Sequence, residues 1–154
     1  MKKGNLVRLT AGIFLVTLSS FAFDLKHLSA IEQSAQELER SANYLQTSLK
    51  ARKPNVETVI ANFETMSSNL SNLDIIAHRF EASNPNLDES TRATWAVIRQ
   101  KIQALSLSHD TKDRLAGQKL QNYRFLIRAY AGHVAQQARV VQTSAASIQR
   151  SSPF

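Results

Sequence analysis

Apolar residues recur along much of this chain at alternating spacings of three and four. In the first such segment they form an unbroken heptad series: Leu28, Ile31, Ala35, Leu38, Ala42, Leu45 and Leu49. The next segment continues in the same way through Val56, Val59, Phe63, Met66, Leu70, Leu73, Ala77 and Phe80. Residues at this spacing fall on one face of an α-helix. The pattern predicts two long amphipathic helices, over residues 24–51 and 55–82.

The second half of the chain predicts two further helices, over residues 88–106 and 110–148. Their apolar series are Thr91, Trp95, Ile98, Ile102 and Leu105, then Ala116, Leu120, Tyr123, Ile127, Tyr130, Val134, Val141 and Ile148. The breaks fall at Pro54 and Asn55, at 83–86 and at 106–110, and Asn55 and Asp88 are suited to cap the helices that follow them. Residues 151–154 are expected to form a disordered tail.

Short turns between long amphipathic helices favour folding back within one chain. Four such helices pack most simply as an up-down-up-down four-helix bundle, here with a long C-terminal helix. The strict heptad series would also suit a coiled-coil homodimer, which is the alternative architecture. The chain has no cysteine, four glycines and three prolines, so a bundle would be stabilised by apolar packing alone.

The first 22 residues have the pattern of a signal peptide. Lys2, Lys3 and Arg8 precede an apolar stretch over 9–18, and the small residues Ser20 and Ala22 close the segment. Cleavage after Ala22 would leave 132 of the 154 residues, enough for one domain. An uncleaved anchor is the alternative, but the apolar stretch is shorter than the roughly 20 residues of a membrane span. We expect a periplasmic or secreted protein of the bacterial envelope, without a transmembrane span after cleavage.

Basic residues are concentrated in the predicted last helix. Loss of Lys2, Lys3 and Arg8 would lower the formal net charge from +7 to +4. The arginines that share one side of this helix, within roughly 80° at 100° per residue, are Arg114, Arg124, Arg128, Arg139 and Arg150. With Phe125, which points away from the apolar face, they form a candidate binding surface for an acidic partner or an anionic surface. The alternative is ion pairing with Glu39 and Glu32, predicted at the heights of Arg124 and Arg128.

Three histidines raise a second hypothesis. Counting helical turns from the predicted loops places His27, His78 and His133 near one level, where imidazoles could hold haem iron or a divalent transition metal. His27 and His133 resemble in placement the haem ligands of periplasmic four-helix cytochromes of the b type. This chain lacks that family's axial Met near the mature N-terminus. The alternative is that these histidines are solvated at the helix edges.

The sequence carries no nucleophile elbow, Walker glycines or dinucleotide fingerprint. We therefore expect a non-enzymatic protein without a cofactor, which acts by binding an envelope protein or an anionic surface. Export disfavours nucleic acid as a partner. The haem- or metal-binding bundle based on His27 and His133 is the alternative function.

Overall fold

The computed structural model describes the backbone of residues 4–116 and 120–151, and the side chains of residues 26–106 and 124–151. These residues form four helices and no strand: α1 (Gly4–Ser48), α2 (Val56–Ser83), α3 (Glu89–Ala116) and α4 (Leu120–Ser151). The prediction of an all-α chain with four helices is confirmed. The predicted tail lies outside the described residues except for Ser151, which ends α4.

A buried polar ladder sets the register of α1 against α2. The Asn69 side chain donates to the Ser41 hydroxyl at 3.1 Å, and the Asn72 side chain donates to the Ser34 hydroxyl at 3.1 Å. Ser34 and Ser41 are both buried, one heptad apart on α1. The Ser41 hydroxyl also donates to the Leu38 carbonyl at 2.9 Å, so the two asparagine bonds complete the hydrogen bonding of this face. A shift of one helix along the other would break both bonds, so the ladder penalises it. The residue order also shows that α1 and α2 are antiparallel.

The other helices close the bundle in chain order. α1 packs against α2 and α4, and α3 packs against α2 and α4. Arg139 of α4 contacts Glu39 of α1, whereas Arg124 contacts Leu49, so these two helices are also antiparallel. Each helix therefore buries its apolar face against two antiparallel neighbours, the arrangement expected from short turns.

The core follows the predicted heptads closely. All seven apolar positions of the first series are buried, and so are seven of the eight in the second. Val56 is the exception: it is 52% exposed in the first turn of α2, ahead of the packed part of the helix. In α4 the series from Ile127 onward is buried, together with four small residues, Ala131, Ala135, Ala138 and Ala145. Ala116, Leu120 and Tyr123 lie outside the described side chains.

The predicted third turn at 106–110 is wrong, because α3 continues to Ala116. The apolar series ends at Leu105, but Ser, His, Asp and Thr each cost only up to about 0.7 kcal/mol in a helix, and no Pro or Gly occurs between 86 and 116. α2 and α3 consequently both have 28 residues. α4 starts at Leu120 rather than near 110 and has 32 residues.

Both predicted N-caps are present. Asn55 accepts a hydrogen bond from the backbone N–H of Thr58 at 3.1 Å at the start of α2. Asp88 accepts from the Thr91 hydroxyl at 2.6 Å and from the Thr91 N–H at 3.0 Å. These hydrogen bonds lower the pKa of Asp88 below its ordinary value, the Thr91 hydroxyl contributing most. Both helices thus begin where the sequence indicates.

The predicted signal segment is continuous with α1, which begins at Gly4. Cleavage after Ala22 stays a prediction, and the side chains of residues 1–25 lie outside the described part of the chain. Where the structure describes the chain, no helix has both the length and the apolar character of a bilayer span.

Candidate functional site

The predicted arginines of α4 have different roles. Arg124 is half-buried and binds the end of α1: its Nε donates to the Leu49 carbonyl at 2.7 Å, and its Nη2 donates to the Ala51 carbonyl at 2.5 Å. These carbonyls lie just beyond the last helical residue, Ser48. A cation at this position complements the negative end of the helix dipole. Arg124 therefore joins α1 to α4, and its charge is not neutralised by a carboxylate in these bonds.

Arg139 is neutralised by Glu39. Its Nη2 lies 2.6 Å from Glu39 Oε1, and the second carboxylate oxygen accepts from Gln142 Nε2 at 2.7 Å. The hydrogen bond from Arg139 is the largest influence on Glu39 and holds the pKa of this carboxyl below 4.5. The predicted pairing of Glu39 with Arg124 is wrong, since the two helices are offset by about 15 residues from the predicted register.

Arg128 is half-buried and has no hydrogen bond or ion pair from its side chain to another described residue. Its carbonyl accepts from Gln46 Nε2 at 3.3 Å, which places this part of α4 beside the last turns of α1. Glu32 lies 14 residues before Gln46 on α1, so its predicted pairing with Arg128 is also wrong. Arg114 lies in the last turns of α3, and its side chain is outside the described residues.

Three more cations lie beside Arg124, in the loop between α1 and α2. Lys50, Arg52 and Lys53 are all exposed, and Arg124 holds this loop through the Ala51 carbonyl. We call Lys50, Arg52, Lys53, Arg124 and Arg128 the basic end of the bundle. Among the described residues of this loop and of the first turn of α2, the acidic side chain is that of Glu57, in the first turn.

The basic end was only half anticipated from the sequence. Arg124 and Arg128 were predicted, but the loop cations were not, although three bases within the four residues 50–53 were a readable signal. The side chains of residues 107–123 lie outside the described part of the chain.

Apolar side chains are also exposed at this end. Phe125 is 78% exposed and Leu126 is 49% exposed, directly after Arg124. Val56 and Ile60 are exposed in the first turns of α2. The predicted outward direction of Phe125 agrees with this exposure. The end of the bundle therefore combines uncompensated cations with accessible apolar groups.

The structure does not bring the three histidines together. The contact between Arg139 and Glu39 places Ser151 opposite His27, so His133 lies about 18 residues, or about 27 Å, farther along α4. Within the described residues, no three His, Cys, Asp or Glu side chains are grouped so as to hold a metal ion. The predicted common level of His27 and His133 is wrong, because the register of α4 against α1 differs by about 15 residues from the predicted one. The later start of α4, at Leu120 instead of 110, accounts for ten of these residues.

His78 belongs to a polar cluster between α2 and α3. Its Nε2 lies 3.3 Å from Arg99 Nη2 and its Nδ1 lies 2.9 Å from the Asp74 carbonyl oxygen. Because a guanidinium can only donate, Nε2 is the acceptor and Nδ1 carries the proton. Both ring nitrogens are thus engaged within the cluster.

Arg99 is the centre of this cluster. It lies 3.1 Å from Asp74 Oδ1 and 2.8 Å from Glu81 Oε1, and Glu81 also accepts from the Trp95 indole at 3.1 Å. Trp95 is buried with its ring centroid 4.3 Å from that of Phe80. The sequence predicted the apolar position of Trp95, which is buried, but not the role of Arg99, which joins Asp74, His78 and Glu81 only in the folded chain. This network links the helices and leaves few donors for a ligand.

These features come from this chain alone. Comparisons with protein-family models, with curated proteins and with solved structures find no match.

Proposed function

We propose that this chain is an exported, non-enzymatic helical bundle of the bacterial envelope, and that it binds an anionic polymer or an anionic envelope surface through its basic end. One observation carries the proposal. Five cations are gathered at this end, and none of them is ion-paired with a carboxylate among the described residues. The Arg139 and Arg99 side chains are paired with acids of neighbouring helices. The other described cations without such a pair are spread along the bundle and not concentrated at one place: Lys26, Arg40, Arg79, Arg92, Lys101 and Arg150.

For attracting a charged partner, the position of these charges along the bundle matters more than the net charge of the chain. α2 has 28 residues and is about 42 Å long, several times the screening length of about 8 Å at physiological salt. The two ends of the bundle therefore act independently on a charged partner. At the opposite end four cations, Lys26, Arg79, Arg92 and Arg150, are more nearly balanced by three acids, Glu81, Asp88 and Glu89, whereas the five cations of the basic end are described together with one acid, Glu57. A large anion is attracted to the end that lacks this balance.

The proposal is tested with a sulfated-polysaccharide column. The triple variant Lys50→Gln, Arg52→Gln and Lys53→Gln is compared with the native chain and with a control triple variant at the opposite end, Lys26→Gln, Arg79→Gln and Arg150→Gln. Both variants lose three exposed positive charges, so they have the same net charge. We expect only the loop variant to elute at much lower salt. Equal elution of the two variants would contradict binding at the basic end.

Export is supported by the place where α2 ends along α1. The contact of Asn72 with Ser34 places Ser83, the end of α2, opposite residue 23. Cleavage after Ala22 would thus remove a part of α1 that lies beyond the end of α2.

N-terminal sequencing of the protein from a periplasmic extract tests export. The expected first residue is Phe23. Recovery of the chain only from the cytoplasm, with its N-terminal residues still attached, would refute this part of the proposal.

A further inference from the structure

The exposed apolar side chains of the basic end need a separate explanation. Seven large apolar side chains are exposed in the described part of the chain, and four of them, Phe125, Leu126, Val56 and Ile60, lie near this end; the others are Tyr44, Ile75 and Val97. A soluble polyanion would use the cations and gain little from these four groups. A partner that also offers an apolar environment would use both.

The apolar groups surround the end and do not form a pocket. Phe125 and Leu126 belong to α4, and Val56 and Ile60 belong to α2. These two helices are diagonal in the bundle, since each packs against α1 and α3. The loop cations lie between α1 and α2, and Arg124 connects this loop to α4. An extended surface approached end-on could contact all of these groups together.

We infer that the basic end docks on an anionic phospholipid bilayer. This inference rests on the proposed function and names its partner. Lys50, Arg52 and Lys53 would meet lipid phosphates, while Phe125 and Leu126 would enter the boundary between headgroups and acyl chains. Cations that contact lipid phosphates, together with apolar side chains that enter the acyl boundary, are typical of proteins that lie on membranes without spanning them. A protein partner would instead need a complementary surface of about 800 Å², and a fluid bilayer needs none.

The size of each contribution follows from known membrane energetics. A Lys or Arg near an anionic leaflet strengthens binding about fivefold, so removal of three should weaken it about 100-fold. Partial burial of one Phe ring should contribute about tenfold. Binding should also weaken with salt because the charges are exposed.

The inference is tested by sedimentation with vesicles, using protein purified from the periplasm. The vesicles contain phosphatidylglycerol and phosphatidylcholine, or phosphatidylcholine alone. We expect binding to the anionic vesicles only, about 100-fold weaker for the triple loop variant and about tenfold weaker for Phe125→Ser. The matched control is Ile75→Ser, since Ile75 is 50% exposed in the half of α2 that is farther from this end, and it should change binding less than twofold.

The outcomes separate the inference from the function on which it rests. Equal effects of Phe125→Ser and Ile75→Ser, or no vesicle binding by a chain that the polyanion column retains, would refute lipid docking and leave polyanion binding. If the native chain is neither retained by the polyanion column nor bound to anionic vesicles, the proposed function is refuted. Phe125→Ser should leave retention on the column unchanged, because that interaction uses the cations.

Discussion

Arg124 offers a sharp test of how the basic end is built. Two hydrogen bonds from one guanidinium hold the end of α1 and the following loop, at 2.7 Å and 2.5 Å. The bond to Leu49 is partly buried and the bond to Ala51 is exposed. Charge-assisted bonds of these two kinds contribute about 1.5 and about 0.5 kcal/mol. We expect Arg124→Gln to lower the free energy of unfolding by about 2 kcal/mol.

Two further variants separate geometry from charge. Arg124→Lys keeps the charge but cannot reproduce the two-pronged geometry of a guanidinium, so it should lose about 1 kcal/mol. Arg128→Gln removes a neighbouring cation whose side chain bonds to no other described residue, so it should lose less than about 0.5 kcal/mol.

Urea unfolding followed by far-UV circular dichroism measures these differences. The dependence on urea should keep the same slope, since the variants expose the same surface on unfolding. The thermal midpoint should fall by about 6 °C for Arg124→Gln, at about 3 °C per kcal/mol for a chain of this size. Equal stability of the Arg124→Gln and Arg128→Gln proteins would refute the role of Arg124 in joining α1 to α4.

Two other predictions concern the contacts between α1 and α4. A Cβ at Gly132 would collide with the Gln46 amide and displace it from the Arg128 carbonyl to which it donates. The gain in helix propensity and the loss of this hydrogen bond offset each other, so Gly132→Ala should change the free energy of unfolding by less than about 0.5 kcal/mol. In a Gln46→Ala background the same substitution should stabilise by about 1 kcal/mol, and a double-mutant cycle in urea measures the difference. Because the pKa of Glu39 is lowered in the folded chain, its pairing with Arg139 should stabilise the fold fully above pH 4.5. This stabilisation should be lost as the pH falls through the folded-state pKa. The stability difference from Glu39→Gln should be constant from pH 5.5 to 7 and shrink in acid; a constant difference throughout would contradict the pairing.

The sequence allowed the first half of the fold to be predicted well. Every predicted core position of α1 is apolar, and Pro54 and Asn55 mark the boundary before α2. The periodicity of the apolar residues and the residues that end and begin helices therefore indicated the same helix boundaries. The end of α3 was missed because its apolar series stops at Leu105 while nothing in the following residues breaks a helix.

That single error spread to the predicted site. Positions along α4 were counted from a turn predicted at 106–110, whereas α4 begins at Leu120. His133 was therefore matched with His27, and Arg124 with Glu39. In the structure Glu39 binds Arg139. Register between distant helices depends on specific contacts such as the Asn72 to Ser34 bond, which periodicity alone does not encode. Exposure of Phe125 was predictable because it depends only on the helical face.

Depth-dependent fluorescence quenching tests most directly whether the basic end is the part that contacts a bilayer. Trp95, the one tryptophan of the chain, is buried near the opposite end and serves as the internal control. A second protein with Trp95→Phe and Phe125→Trp carries the probe at the basic end instead. With spin-labelled phosphatidylglycerol vesicles, we predict strong quenching of the probe at position 125 and none of Trp95. Quenching of Trp95 alone, or of neither probe under conditions of complete binding, would contradict end-on docking.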